Sequence, residues 1–108
     1  MRNELVDIEG KVVYLSGPMS GYPEYNFPAF KSARERLRSL GLTVVCPAEA
    51  GQVDGWEWED YLRRDLALLL DGCEAVVVLR GWEKSRGARL EVLVAWQLNM
   101  PVAEYEDL

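Results

Sequence analysis

Short apolar runs, each closed by a glycine or proline and separated from the next by a helix-length amphipathic stretch, decide what this chain can fold into. Lys11-Val12-Val13-Tyr14-Leu15-Ser16 ends at Gly17-Pro18, and Leu42-Thr43-Val44-Val45-Cys46 ends at Pro47. Glu74-Ala75-Val76-Val77-Val78-Leu79 is the third run, and Pro101-Val102-Ala103-Glu104-Tyr105 a shorter fourth. Runs apolar at nearly every position belong to strands covered on both faces, as in parallel sheets. Between them the apolar residues recur at helical spacing. Phe30, Ala33, Leu37 and Leu40 form one stripe, with Asn26 as a candidate cap, Pro28 near the first turn and Gly41 just past the end. Tyr61, Leu62, Leu66 and Leu69 form a second stripe from Trp58 to Leu70, and Ser85 can cap a third helix through Leu98. The order βαβαβαβ predicts a compact Rossmann-like or flavodoxin-like α/β fold: a parallel sheet of four to five strands, right-handed crossovers, and helices on both faces. Ligands of such sheets bind outside the carboxyl ends of the strands. Three segments lie there: Ser16–Gly21, Pro47–Trp58 and Arg80–Glu91.

The chain has 108 residues, which is enough for one domain spanning 1–108, with a polar first ten residues expected to fray. With 49% hydrophobic and 28% charged residues it has a globular composition. No apolar run approaches the ~18 residues of a membrane span, and Met1-Arg2-Asn3-Glu4 opens no signal peptide, so a cytoplasmic protein without a membrane partner is expected. A net charge of -6 repels a phosphate backbone, which argues against a nucleic acid polymer but leaves a single nucleotide open. There is no histidine, so serine triads, Cys-His dyads and most zinc sites are excluded, and no metal or organic cofactor is expected. Acid–base chemistry must run on carboxylates, tyrosine, lysine or cysteine. Cys46 and Cys73 border apolar runs and read as reduced core thiols. Four tryptophans and five tyrosines in so short a chain imply a buried interface, hence a homodimer or larger homo-oligomer.

The first loop, Ser16-Gly17-Pro18-Met19-Ser20-Gly21, lets backbone N–H groups and hydroxyls approach an anion, although a plain strand-to-helix turn would use the same residues. It lacks the spacing of a P-loop or a dinucleotide fingerprint. Ser85 and Gly87 stand where the third helix begins, where free N–H groups favour phosphate; an N-cap and a turn explain them equally. Glu91 shares one helical face with Ala88, Ala95 and Leu98, in a helix apolar nearly all round. Asp65 interrupts the apolar stripe of the helix before it. Glu91 is either solvated at the surface, paired with Arg64, Arg86 or Arg89, or facing a cleft, and Asp65 is either paired with Arg63, Arg64, Arg86 or Arg89 or facing a cleft, because a buried carboxylate costs several kcal/mol otherwise. Two inward carboxylates near the strand ends suit glycosidic chemistry, in which one attacks the anomeric carbon and another group handles protons.

Tyr14-Leu15-Ser16-Gly17-Pro18-Met19-Ser20-Gly21 and Ser85-x-Gly87-Ala88-x-x-Glu91-x-x-x-Ala95 resemble the motifs of the nucleoside 2-deoxyribosyltransferase superfamily. With Asn26-Phe27-Pro28-Ala29-Phe30 and Gly81-Trp82 in the same order, the chain most resembles the small, phage-associated DUF4406 group, from about Val12 to Val102. The resemblance implies that Glu91 is a nucleophile attacking C1′ of the sugar, that Tyr14 lies beside it, and that Asp65 contacts the sugar or assists proton transfer. It implies a 5′-phosphate site at Ser85 and Gly87, with Ala88 in the same motif, joined by Ser16, Gly17, Met19, Ser20 and Gly21 of the first loop. Trp82 is a candidate for stacking on the base. Glu74 stands where relatives carry an aspartate, and the transferases continue past the position of Leu108 to complete a neighbouring subunit's site. Hydrolysis is therefore expected over base exchange. The expected activity is cleavage of the N-glycosidic bond of a (deoxy)nucleoside 5′-monophosphate. The alternatives are a nucleotide-sequestering module that keeps the pocket without chemistry, and an interaction domain in which Glu91 and Asp65 only pair with arginines.

Overall fold

In the computed structural model, which describes residues 3–108, the four apolar runs form one parallel sheet. The strands are β1 (Val12–Ser16), β2 (Thr43–Val45), β3 (Ala75–Val78) and β4 (Val102–Glu104), in the spatial order β2-β1-β3-β4. Around them lie α1 (Leu5–Ile8), α2 (Phe27–Ser39), α3 (Trp58–Leu70) and α4 (Arg86–Gln97). Each anticipated strand and long helix is present, with ends moved by a residue or two, and no helix among the described residues is long and apolar enough to cross a membrane.

The two-residue period of a strand sorts the core into two layers. Val13, Leu15, Ala75 and Val77 pack with Phe30, Ala33 and Leu37 of α2 on one face. Tyr14, Val76 and Val78 pack with Leu69 of α3 and Val92 and Ala95 of α4 on the other. Parity thus sends Tyr14, and Ser16 two residues on, to the face that α4 covers. β1 pairs with β2 on one side and β3 on the other, so the chain leaves the centre of the sheet in opposite directions. The crevice at a parallel sheet's carboxyl edge opens where the order reverses. Here that is the ends of β1 and β3. Gly17 keeps that edge tight, since a Cβ there would lie 2.9 Å from Leu79 Cβ.

Within the first ten residues, Leu5 and Ile8, three apart, turn one side of α1 inward, and Ile8 is fully buried in the core. Asn3 adds a bridge, its Oδ1 accepting from the Val102 N–H at 3.0 Å. Residues 1 and 2 lie outside the described residues. One local expectation is corrected: Asn26 stands at the N-cap of α2, but its side chain makes no cap hydrogen bond there. Glu24, Tyr25 and Asn26 form a left-handed turn, with φ of 54°, 53° and 61°. That geometry points the Asn26 amide at the first loop, where Nδ2 donates to the Pro18 carbonyl at 2.9 Å.

Candidate functional site

Glu91 is on the inward face of α4, directly over the residues that strand parity turns toward it. The Tyr14 hydroxyl donates to Glu91 Oε2 and the Ser16 hydroxyl to Oε1, both at 2.6 Å. Tyr14 and Ser16 are at most 1% exposed and Glu91 is 6% exposed. Arginine pairing, the structural alternative for Glu91, is absent among the described residues; two hydroxyls take its place. Burial pushes the Glu91 carboxyl up to about 7. The two hydroxyl donors oppose that rise and the Asp65 charge adds to it. The Tyr14 phenol is raised well above its ordinary range, first by burial and then by the Glu91 charge, so it stays a proton donor. A carboxyl raised toward neutrality by burial, with each oxygen held by one hydroxyl, has the chemistry of a proton acceptor or a nucleophile.

Glu91 forms part of the wall of a cavity of about 330 Å³. That volume suits a small organic ligand, since ligand sites begin at roughly 300 Å³. The first loop contributes Gly17, Met19 and Ser20, and the start of α4 contributes Ser85, Gly87 and Ala88. Much of the rest of the lining is aromatic: Tyr25, Phe27 and Phe30 from the turn and helix after β1, and Trp56, Trp58 and Tyr61 from the segment after β2. Asp65 and Arg64 line the cavity too, with Pro47, Gly51, Gln52 and Leu62. Arg64 Nε donates to Asp65 Oδ1 at 3.2 Å, and Nη1 to the Gly51 carbonyl at 2.8 Å. Burial raises the Asp65 carboxyl and Arg64 partly reverses this. A smaller recess of about 280 Å³ shares Ser20, Trp58, Ser85 and Gly87 with the cavity and adds Lys84 and Arg86. Among the described residues no cluster has the side chains to hold a metal ion.

The structure therefore brings together Glu91, Asp65, Tyr14, Gly17, Met19, Ser20, Ser85, Gly87 and Ala88. Ser16 is present too, but its hydroxyl is committed to Glu91 instead of facing the cavity. Ser85 also caps α4, its Oγ accepting from the Ala88 N–H at 3.2 Å. Two expected residues lie elsewhere. Gly21, exposed at φ 81°, is in the turn beyond the cavity. Trp82 packs edge-on to Trp96, centroids 6.4 Å apart, and its indole N–H donates to Glu104 at 3.4 Å. It is drawn toward β4 because it follows the left-handed Gly81, which turns the chain aside. The aromatic wall is not legible from sequence as part of the site, and Arg64 is legible only as a pairing partner of Asp65, which it is. The signal was the Trp56-Glu57-Trp58 pair within a segment that topology had already marked.

The family model described as a domain of unknown function, DUF4406, matches residues 11–104. The chain belongs to this family. In this DUF4406 domain, Gly17, Met19 and Ser20 of the first loop and Ser85, Gly87, Ala88 and Glu91 of the α4 segment line the same cavity. No curated protein matches the chain significantly. Among solved structures, the 2-deoxyribosyltransferase from Bacillus psychrosaccharolyticus is similar, with a TM-score of 0.66 and 22% identity. The match covers 86% of this chain and 70% of that one, and at this identity it establishes a shared fold.

Proposed function

We propose that this DUF4406 domain cleaves the N-glycosidic bond of a (deoxy)nucleoside 5′-monophosphate, with Glu91 as the nucleophile. The observation that carries the reading is the Glu91 carboxylate, gripped by two buried hydroxyls and bordering a cavity with an aromatic wall. The shared fold with a 2-deoxyribosyltransferase supports it. A Glu91 oxygen attacks C1′; the C1′–N bond breaks and its electron pair leaves with the base, which takes a proton from the Asp65 carboxyl. Water then attacks C1′ of the glycosyl ester, its proton passing to Asp65, and the carboxylate is regenerated. Net, water and nucleotide give free base and sugar 5-phosphate. Both steps invert at C1′, so the overall course is retention. Tyr14 and Ser16 hold the carboxylate in line. The phosphate belongs at Ser85 and Gly87, where the Arg86 and Gly87 N–H groups open α4 ahead of the capped Ala88 N–H and Lys84 and Arg86 stand beside the recess.

The test is chromatographic. The protein is incubated with each deoxy- and ribonucleoside 5′-monophosphate and with the parent nucleosides. Free base from monophosphates, with little from nucleosides, is expected. Thermal stabilisation by a nucleotide without free base would replace the reading with a sequestering module, and neither response would overturn nucleotide recognition altogether.

A further inference from the structure

Arg64 is the one cation in the wall of the main cavity, among the described residues, and everything around it restricts its motion. Its guanidinium lies over two rings, 5.4 Å from the Trp56 centroid and 5.3 Å from the Tyr61 centroid. Its Nε is bound to Asp65 and its Nη1 to the Gly51 carbonyl, and its side chain is 19% exposed. Tyr61 is itself pinned, its oxygen accepting from the Val53 N–H at 2.8 Å. Three of the five N–H bonds of a guanidinium remain after those two contacts, and Nη2 makes no hydrogen bond to the described residues. A planar donor held by stacking and two hydrogen bonds has little entropy left to lose when it takes an acceptor.

The layout of the cavity says which acceptor. In a nucleotide the phosphate and the base lie on opposite sides of C1′. With the phosphate at the start of α4 and C1′ at Glu91, which Tyr14 and Ser16 of β1 hold, the base is left the remaining lining of the cavity. That is where Trp56, Tyr61 and Arg64 stand. This step rests on the reading under Proposed function. A guanidinium presents donors only, so the base it selects must present acceptors there. An oxo group is such an acceptor, whereas an exocyclic amino group turns a donor toward another donor.

We infer that Arg64 is a specificity-determining residue that selects oxo-bases over amino-bases. It also stabilises the charge that gathers on the oxo oxygen as the base departs, so discrimination appears in binding and more strongly in turnover.

The closest matched pair is dIMP and dAMP, which differ at position 6 and the adjoining N1. Titration calorimetry on the wild-type chain measures binding of each, independently of whether base is released. The expected result is about tenfold or tighter binding of dIMP, the lower part of the range for a guanidinium contact to a base edge. In Arg64→Met, which keeps the packing volume and removes the donors, the ratio falls toward one. In Arg64→Lys, a point charge without the fork, it is intermediate. Equal binding of the two nucleotides by wild type, or a ratio unchanged in both variants, would overturn the assignment. A variant that loses both nucleotides equally would mark Arg64 as a structural staple of the segment after β2, also against it. The two readings fail separately: selective dIMP binding without base release removes only the glycosidase, and base release indifferent to the oxo group removes only the role of Arg64.

Discussion

Glu91→Gln is expected to give a more stable protein that no longer releases base. Loss of a covalent nucleophile costs several orders of magnitude in rate, while the amide keeps the shape of the side chain and an acceptor for one hydroxyl. Nucleotide binding should persist, so turnover and affinity part company. The stability gain follows from the raised carboxyl. A group at about 7 in the folded chain and near 4.5 when exposed holds its proton more tightly in the folded state. Between those two values the folded state binds more protons, so stability falls as pH rises through that window and levels off above it. The full loss is on the order of 3 kcal/mol, from about 1.36 kcal/mol per pKa unit. The amide does not ionise and escapes it. Melting curves of wild type and Glu91→Gln should therefore be close at pH 5 and separate by roughly 10 °C at pH 8, for a domain of this size. Parallel curves across that range would mean that Glu91 ionises freely, and would remove the buried, poised carboxyl on which the mechanism rests.

Tyr14→Phe should displace the pH profile of the reaction as well as slow it. The active form of Glu91 is the carboxylate, so kcat/KM should rise with pH through about 7 in the wild type. Tyr14 and Ser16 each lower that value by donating to the charged form. A hydrogen bond to a charged group contributes about 1.5–3 kcal/mol, or roughly one to two pKa units. Removing the Tyr14 hydroxyl should carry the rising limb to about pH 8–9, with kcat/KM at pH 7 down by roughly 5–50-fold and largely recovered at high pH. Ser16→Ala should move it in the same direction. A tyrosine that only fills space would lower the rate without moving the limb, and that result would separate Tyr14 from the nucleophile.

Much of this site could be read in the sequence, for a definable reason. The strands are buried on both faces, so their apolar runs are nearly continuous, and the helices between them carry single apolar stripes. A carboxylate inside such a stripe, as Glu91 and Asp65 are, has nowhere to go except a partner or a cleft. What sequence could not supply was direction within loops. Asn26 has the residue type of a cap but is in a left-handed turn, so its amide reaches Pro18. Trp82 lies within the motif-bearing loop yet turns away to Trp96 and Glu104. Conversely, Trp56, Tyr61 and Arg64 come from a segment with no motif, and only the stacking of the arginine on two rings makes them a unit. Of the four tryptophans and five tyrosines, Tyr25, Trp56, Trp58 and Tyr61 line the cavity, while Trp96, at 55% exposed, Leu93 and Leu98 stay open on and just beyond α4.

The central claim is a covalent bond between Glu91 and C1′, and mass spectrometry of the trapped protein tests it most directly. A 2′-fluoro-arabinosyl nucleoside 5′-monophosphate is suited to the trap, because the fluorine destabilises the cationic transition state of ester hydrolysis. After acid quench and digestion, the peptide containing Glu91 should carry the fluorinated sugar phosphate, in amounts matching the free base released. Glu91→Gln should carry none. Release of base with every peptide unmodified, or an adduct placed on Asp65, would contradict the account.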